Sequence, residues 1–439
     1  MKNFGYPFGR RIGLPFAAGF GEWPIWKPGV APPALPAAAL DIGFTGSEVL
    51  DARITASGGA NATRVNASGV LVTAVTPRFD YDPATLAPLG VYVEGAGTNI
   101  QIQSNGFAAA PWVPTDSIVT AAATASPDGT VNAAQVTEGS AGTALLVNTQ
   151  LTVTSGMIYS VSRYFKYNNC RYICMAVTNP SLANGCQIWF DIQNGTVGAS
   201  QGLGTGTNVL GRIYPAGNGW YRCVVTVIMG AITGMLVRTF SANADFSLVR
   251  VNGAAYYMYG AQVEQSAVPT SYIPTVAAAV SRTADGLIMT GTNFSAWYNA
   301  ATGSIVVDHD LNGFGAVNNP LMSIDDATAN NKITLARVTP GLGSLAVTTA
   351  SVAQVAHNTA NAALATTVSK VAAAWAANDF SLVLNGGVPA LDAVGTIPTV
   401  TQMRLGGVTP VAAYLNGHLR RIRYWNTRLT DAQLQQASG

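Results

Sequence analysis

Three groups of residues in this sequence have types and spacings that could do chemistry. Asp308-His309-Asp310 and Asp80-Tyr81-Asp82 each set two carboxylates at i and i+2, on one face if the run is extended. Paired carboxylates at a fixed separation supply the acid and base of glycoside hydrolysis, and acid pairs also take calcium. For the second pair, Asp82-Pro83 also opens a turn, with Asp80 capping it or pairing with Arg78, and the turn is the preferred reading. The histidines His309, His357 and His418 stand in no Gly-Xaa-Ser-Xaa-Gly context, so no Ser–His–Asp triad is expected, and His418 reads as a strand residue. The third group is Tyr164, Tyr167, Asn168, Asn169, Arg171 and Tyr172, with Trp189 further on. Aromatic rings stack on the apolar faces of sugars while amides and guanidinium groups reach hydroxyls, so these residues are the candidate glycan contacts. The same loop could instead form an intersubunit contact. Trp220 reads as core, with sugar stacking as the alternative.

Cys170, Cys174, Cys186 and Cys223 form no Cys-Xaa-Xaa-Cys pair and have no histidine nearby in sequence. They read as small buried hydrophobes, with pairing after release from the cell left open, and neither a metal site nor a cofactor is expected.

The elements that must position these groups are strands. The chain has 439 residues, enough for two or three domains, with 46 Gly, 22 Pro and only 10% charged residues. Its formal net charge of +2 gives no field for nucleic acid. Such low charge fits either a permanent assembly or simply a β-rich composition. Neither a signal peptide nor a membrane span is expected. Alternating runs at 144–151, 158–164, 174–177, 187–192, 220–228, 235–240 and 255–263 predict a first sandwich over 101–281, with an Asn194-Gly195 hairpin turn. Runs at 303–310, 380–387, 403–407 and 415–425 predict a second over 282–439, closed by a short helix that Thr430 caps. Between 256 and 281, Pro269 and Pro274 end one sheet and mark the seam between domains. Residues 41–100 read as a β-rich connecting segment.

Residues 1–40 read as an arm. Phe4, Tyr6, Phe8, Phe16, Phe20, Trp23 and Trp26 follow no period of 2 or 3.6 and lie among Gly and Pro. Such aromatics are unfavourable when exposed, so the arm either docks on a partner or packs back on its own domain, and anchoring is the preferred role. The fold class is therefore all-β: two β-sandwich (jelly-roll) domains behind an extended N-terminal anchoring arm.

Several ordered motifs resemble those of bacteriophage virion proteins. Arg78-Phe79-Asp80-Tyr81-Asp82-Pro83, the Leu89–Glu94 strand and Thr98-Asn99 occur in the order found there, with Gly97 where an arginine is expected. Gly217-Asn218-Gly219-Trp220-Tyr221-Arg222, Gly260-Ala261-Gln262-Val263-Glu264, the Val268–Thr275 run and Arg282-Thr283-Ala284-Asp285 resemble carbohydrate-binding-module-like jelly rolls. The strand over 417–425 and the Leu429–Leu434 cap resemble concanavalin A-like (laminin-G-like) lectin sandwiches. Glucanases on that fold carry a Glu-Xaa-Asp-Xaa-Xaa-Glu strand, which Asp308-His309-Asp310-Leu311-Asn312 does not match, so no enzyme is expected. The resemblance implies a tail fibre or spike, assembled in the host cytoplasm and residing in the virion. Its implied partners are other virion proteins (a tail adaptor, portal-proximal or capsid protein), its own copies in a homotrimer, and host-surface glycan. A head fibre or capsid decoration protein is the alternative, and a polysaccharide hydrolase the second.

Overall fold

The computed structural model describes residues 34–315, 318–408 and 413–439. The arm aromatics Phe4, Tyr6, Phe8, Phe16, Phe20, Trp23 and Trp26 lie outside the described residues. The described chain is all-β apart from two short helices, Thr292–Ser295 and Asp431–Ser438. No helix among the described residues is long and apolar enough to cross a membrane.

The first sandwich pairs a six-stranded with a seven-stranded sheet. The six-stranded order is Thr207–Pro215, Trp220–Ile228, Ile158–Tyr167, Ala255–Glu264, Val131–Glu138, Ser117–Ala125. The other runs Thr196–Leu203, Gly185–Asp191, Tyr172–Thr178, Gly234–Ala242, Leu145–Asn148, Trp112–Thr115, with Leu151–Thr152 beside Gly234–Ala242. Strand side chains alternate between faces, so Val161 and Phe165 meet Ile173, Met175, Ile188 and Phe190 in a dry core. Each such side chain contributes about 1.5–3 kcal/mol on burial. Asn194-Gly195 turns Gly185–Asp191 into Thr196–Leu203, with Gly195 at φ 68°. Trp220 is buried, and its Nε1 donates to Ala125 O at 3.1 Å. All four cysteines are buried, free thiols.

In the second sandwich, residues 41–100 are not a connector. Pro88–Val93 pairs with Gly417–Trp425, Arg78–Tyr81 extends that sheet beyond it, and Leu40–Gly43 also pairs with Gly417–Trp425. Thr55–Ser57 joins the opposite sheet through Gly286–Thr290. Phe79, Val91 and Val93 accordingly share one core with Ile305, Leu335, Trp375 and Ile422. The first sandwich is thus inserted into the second. Its entry and exit, Gly97–Asn99 and Val280–Arg282, pair antiparallel with Asn99 opposite Val280. The physical reason is burial: Val91 and Val93 are apolar on the alternate positions of a strand that only the distant sheet can cover. The last residues of the expected arm also belong here, because Ala39 N donates to Tyr424 O at 2.8 Å and Leu35 packs against the C-terminal helix cluster. That helix is capped as expected: Thr430 accepts from Gln433 N in a capping box.

The seam is where the sequence motifs converge. Residues 268–275 are largely buried but lie in no strand, so side chains must satisfy their backbone. Gln262 Oε1 accepts from Ile273 N at 2.7 Å, Glu264 Oε2 from Thr270 N at 2.8 Å, and Glu94 Oε2 from Ser271 N at 2.8 Å. Asn99 Nδ2 donates to Ile273 O at 2.9 Å. Beneath them Arg78, Glu94, Arg282 and Asp285 form a buried quartet: Arg78 Nη1 lies 2.9 Å from Glu94 Oε1, Arg78 Nη2 bonds Asp285, and Arg282 Nε lies 3.5 Å from Glu94. Burial pushes the Glu94 carboxyl up, but the Arg282 and Arg78 guanidiniums outweigh it and hold it below its ordinary value. Two cations and two carboxylates make the cluster neutral, which is the condition for burying it.

Candidate functional site

The two sandwiches leave a cleft of about 400 Å³ where they meet. Its walls are tied together. Tyr214 Oη donates to Asn312 O at 2.6 Å on one side, and Leu71 N donates to Pro127 O at 2.9 Å on the other. Gly217 makes a further close approach possible: it sits at φ +76°, and a Cβ there would come within 2.8 Å of Pro83 O.

Cross-strand register builds both walls. On the second sandwich, Arg78 faces Tyr92, Tyr92 faces His418, and His418 faces Asp310. Directly opposed residues point to one side of a sheet, so these four side chains form a row across four strands. The Tyr92 ring is held between the Arg78 guanidinium, 4.7 Å from its centroid, and the His418 ring, stacked at 4.8 Å. Asp80, two residues after Arg78, joins the same row. On the first sandwich, Tyr164 and Arg222 are cross-strand partners on the outer face of the six-stranded sheet.

His418 is the centre of the charged wall. Its Nδ1 donates to Asp310 Oδ1 at 2.6 Å and its Nε2 to Asp80 Oδ2 at 3.0 Å. Asp310 Oδ2 accepts from Arg420 Nη1 at 3.1 Å, and Asp80 Oδ1 accepts from Val65 N at 2.6 Å. Burial pulls the imidazole down, but Asp310 and then Asp80 outweigh it and raise its pKa to about 10. Both ring nitrogens therefore carry protons and both are engaged, so His418 has no lone pair to act as a base. Burial raises Asp310, and His418 with Arg420 brings it below its ordinary value. Two carboxylates and two cations close on each other, forming a rigid polar wall.

These contacts change the sequence reading of both carboxylate pairs. Asp82 does open its turn, its Oδ1 accepting from Ala84 N and Thr85 N, each at 2.8 Å. Asp80 pairs with His418, because Arg78 is turned inward to Glu94 and Asp285. Asp308 and Asp310 are taken by different partners, Asp308 by Arg423 at 3.6 Å and Asp310 by His418 and Arg420, with Arg420 the extra residue where the register to Gly417–Trp425 shifts. Asp308 lines a second hollow, of about 460 Å³, with Asp41 and Arg421. Among the described residues, no three or more His, Cys, Asp or Glu side chains are arranged to hold a metal ion.

The expected glycan contacts do not gather in one place. Tyr164 lines the cleft but is only 5% exposed, its ring packed against Tyr259 and Tyr272. Trp189 is 1% exposed, with Nε1 donating to Ser247 O at 2.7 Å and Phe246 against its ring, so it has no free face for a sugar. Tyr167, Asn169, Arg171 and Tyr172 lie away from the cleft. Asn169 is occupied in holding backbone, accepting from Ala255 N at 2.6 Å, and Arg171 pairs with Asp191 at 2.8 Å beside the Tyr172 ring. Sequence reasoning passed over Tyr92, Tyr214, Asn312 and Arg222 as cleft residues. The only local signal was Arg222 alternating with Trp220 on a strand whose tryptophan is core.

No family model matches the chain, and no curated protein matches it. Among solved structures, it is similar to the Ruminococcus gnavus IT-sialidase CBM40 bound to alpha2,3 sialyllactose, at 16% identity and TM-score 0.30, over 34% of this chain and 88% of that one. It is also similar to a native heptameric SAP-like pentraxin from Limulus polyphemus, at 12% identity and TM-score 0.26, over 32% and 70%. Mouse laminin alpha1 chain domains LG4-5 align at 11% identity and TM-score 0.24, over 77% and 90%.

Proposed function

We propose that this chain is a non-enzymatic structural protein of a bacteriophage virion, of the tail-fibre or spike type, and that it holds host-surface glycan in the cleft between its sandwiches. The glycan part is carried by the cleft itself. At about 400 Å³ it has the volume of a small-ligand site, and its lining combines tyrosine rings with carboxylates, Asn312 and guanidinium groups. Sugars need that mixture, apolar faces against rings and hydroxyls against fixed polar groups. The charged wall is pre-organised by its own hydrogen bonds, so little ordering remains to be done on binding. The virion part rests on the ordered motifs around Arg78, Glu94, Gln262 and Arg282.

The test is binding of the full chain to a panel of purified bacterial capsular and O-antigen polysaccharides. Thr366 is exposed at the cleft mouth, and Thr366→Trp fills the entrance without touching either core. The variant is expected to lose binding by about tenfold or more, the scale of a blocked pocket contact. Unchanged affinity would remove the cleft as the glycan site.

A further inference from the structure

Arg222 is the cation lining the cleft that makes no ion pair among the described residues, Glu264 and Glu94 acting on it only from a distance. His418 is held by Asp310 and Asp80, Arg420 by Asp310, and Arg64 by Glu48 at 3.1 Å. Arg222 instead donates from Nε and Nη2 to Ser162 Oγ, at 3.2 and 2.9 Å, and lies over the Tyr164 ring, 5.6 Å from its centroid. Among the described residues no carboxylate oxygen comes within 4.0 Å of it. Ser162 and Tyr164 fix one edge and one face of the guanidinium, and among the described residues Nη1 has no acceptor, which leaves the Nη1–Nη2 edge unpaired. The group is only partly exposed, on the wall of a cleft. A positioned, partly desolvated guanidinium with a free edge matches the geometry by which arginine takes a carboxylate, sulfate or phosphate through two parallel hydrogen bonds. A neutral saccharide would leave that edge without an anionic partner in contact.

We infer that the cleft selects an anionic saccharide, whose acidic substituent is received on the free edge of Arg222 while its ring lies against the partly exposed Tyr81 and Tyr214. This rests on the cleft being the glycan site and adds the class of sugar. Arg222 is a specificity residue: it distinguishes acidic from neutral sugars, and the other walls bind both.

The test uses chemically matched polysaccharides from the same panel. Uronic-acid polymers are compared with their carboxyl-reduced forms, and sulfated or phosphorylated polymers with their desulfated or dephosphorylated forms. Wild-type protein is expected to prefer at least one acidic form by about 30-fold, the scale of hydrogen bonds to a charged group. In Arg222→Gln that preference is expected to fall to within about threefold, the acidic form losing far more affinity than the neutral one, and Arg222→Lys is expected to keep part of it. Raising the salt concentration is expected to weaken only the acidic form. Which matched pair shows the preference identifies the anion. Equal wild-type affinity for every acidic and neutral pair overturns the inference, as does an equal loss of both in Arg222→Gln, since that is a structural effect. Absence of binding to any acidic polymer in the panel also overturns it. If Thr366→Trp abolishes binding while the matched pairs bind alike, only the choice of sugar fails. If Thr366→Trp binds like wild type, the cleft reading fails.

Discussion

Replacing Asp285 with alanine removes one carboxylate from the seam, and the consequences can be worked from its contacts. Asp285 accepts from Thr76 Oγ1 and Arg78 Nη2, and Glu94 N donates to it at 2.9 Å. Arg282 Nη1 lies 3.5 Å away. Arg78, Glu94, Arg282 and Asp285 are each no more than 3% exposed, so water cannot replace the lost partner. The quartet goes from neutral to one net positive charge. Removing one partner of a buried pair typically costs about 3–5 kcal/mol. A domain is stable by only about 5–15 kcal/mol, so the variant should lose a large part of its margin. The partner change, Arg78→Met, leaves Glu94 with Arg282 but strands Asp285 with only the weaker Arg282 contact. Combining the two leaves a neutral Arg282–Glu94 pair. The double variant should therefore be less damaged than the sum of the singles, by about 1–3 kcal/mol of coupling. The assay is urea unfolding followed by tryptophan fluorescence and far-UV circular dichroism, urea being uncharged and leaving ion pairs unscreened. Single-variant losses below about 1 kcal/mol, or strict additivity, would refute the view that charge balance holds this seam.

Other consequences are quicker to check. His418 has its pKa raised to about 10, so its share of stability is complete below the ordinary imidazole value near 6.5 and fades as pH climbs towards 10. Long-range proton–nitrogen NMR should find its ring doubly protonated at pH 8, and a neutral ring there would contradict the Asp310–His418–Asp80 wall. The four cysteine thiols are buried, with Cys170 and Cys186 pushed up to about 12, chiefly by burial, so a thiol reagent should be inert on the folded chain and titrate four groups in denaturant. Fast reaction of the native protein would show that the first core is open. Thr430→Ala removes the capping box over the last helix and should cost about 1 kcal/mol, read as a lower melting temperature. An unchanged melting temperature would mean that packing alone fixes the helix.

The sandwiches were legible because alternation is a local signal. Residues 158–164 and 220–228 reveal their inward faces without any knowledge of their partners. The insertion was not legible, because Pro88–Val93 completes its sheet with a strand more than 300 residues later, and no local property announces that pairing. The motifs at Glu94, Asn99, Gln262 and Glu264 were read as an ordered set but not as a cradle, since their common target is backbone. Trp189 was misplaced for a related reason. Alternation puts it on the outer face of its sheet, and only the fold shows that the loop carrying Phe246 and Ser247 covers that face. The cleft's charged wall needed four strands in register before Asp80, Asp310 and His418 could meet.

Hydrogen–deuterium exchange of the full chain with and without a bound polysaccharide tests the central claim most directly. If the cleft is the site, protection should rise together in segments from both sandwiches, around 78–82, 214–222 and 309–312, and at the mouth around 364–368. Protection confined to the 167–172 loop, or to one sandwich's outer surface away from the cleft, would contradict it.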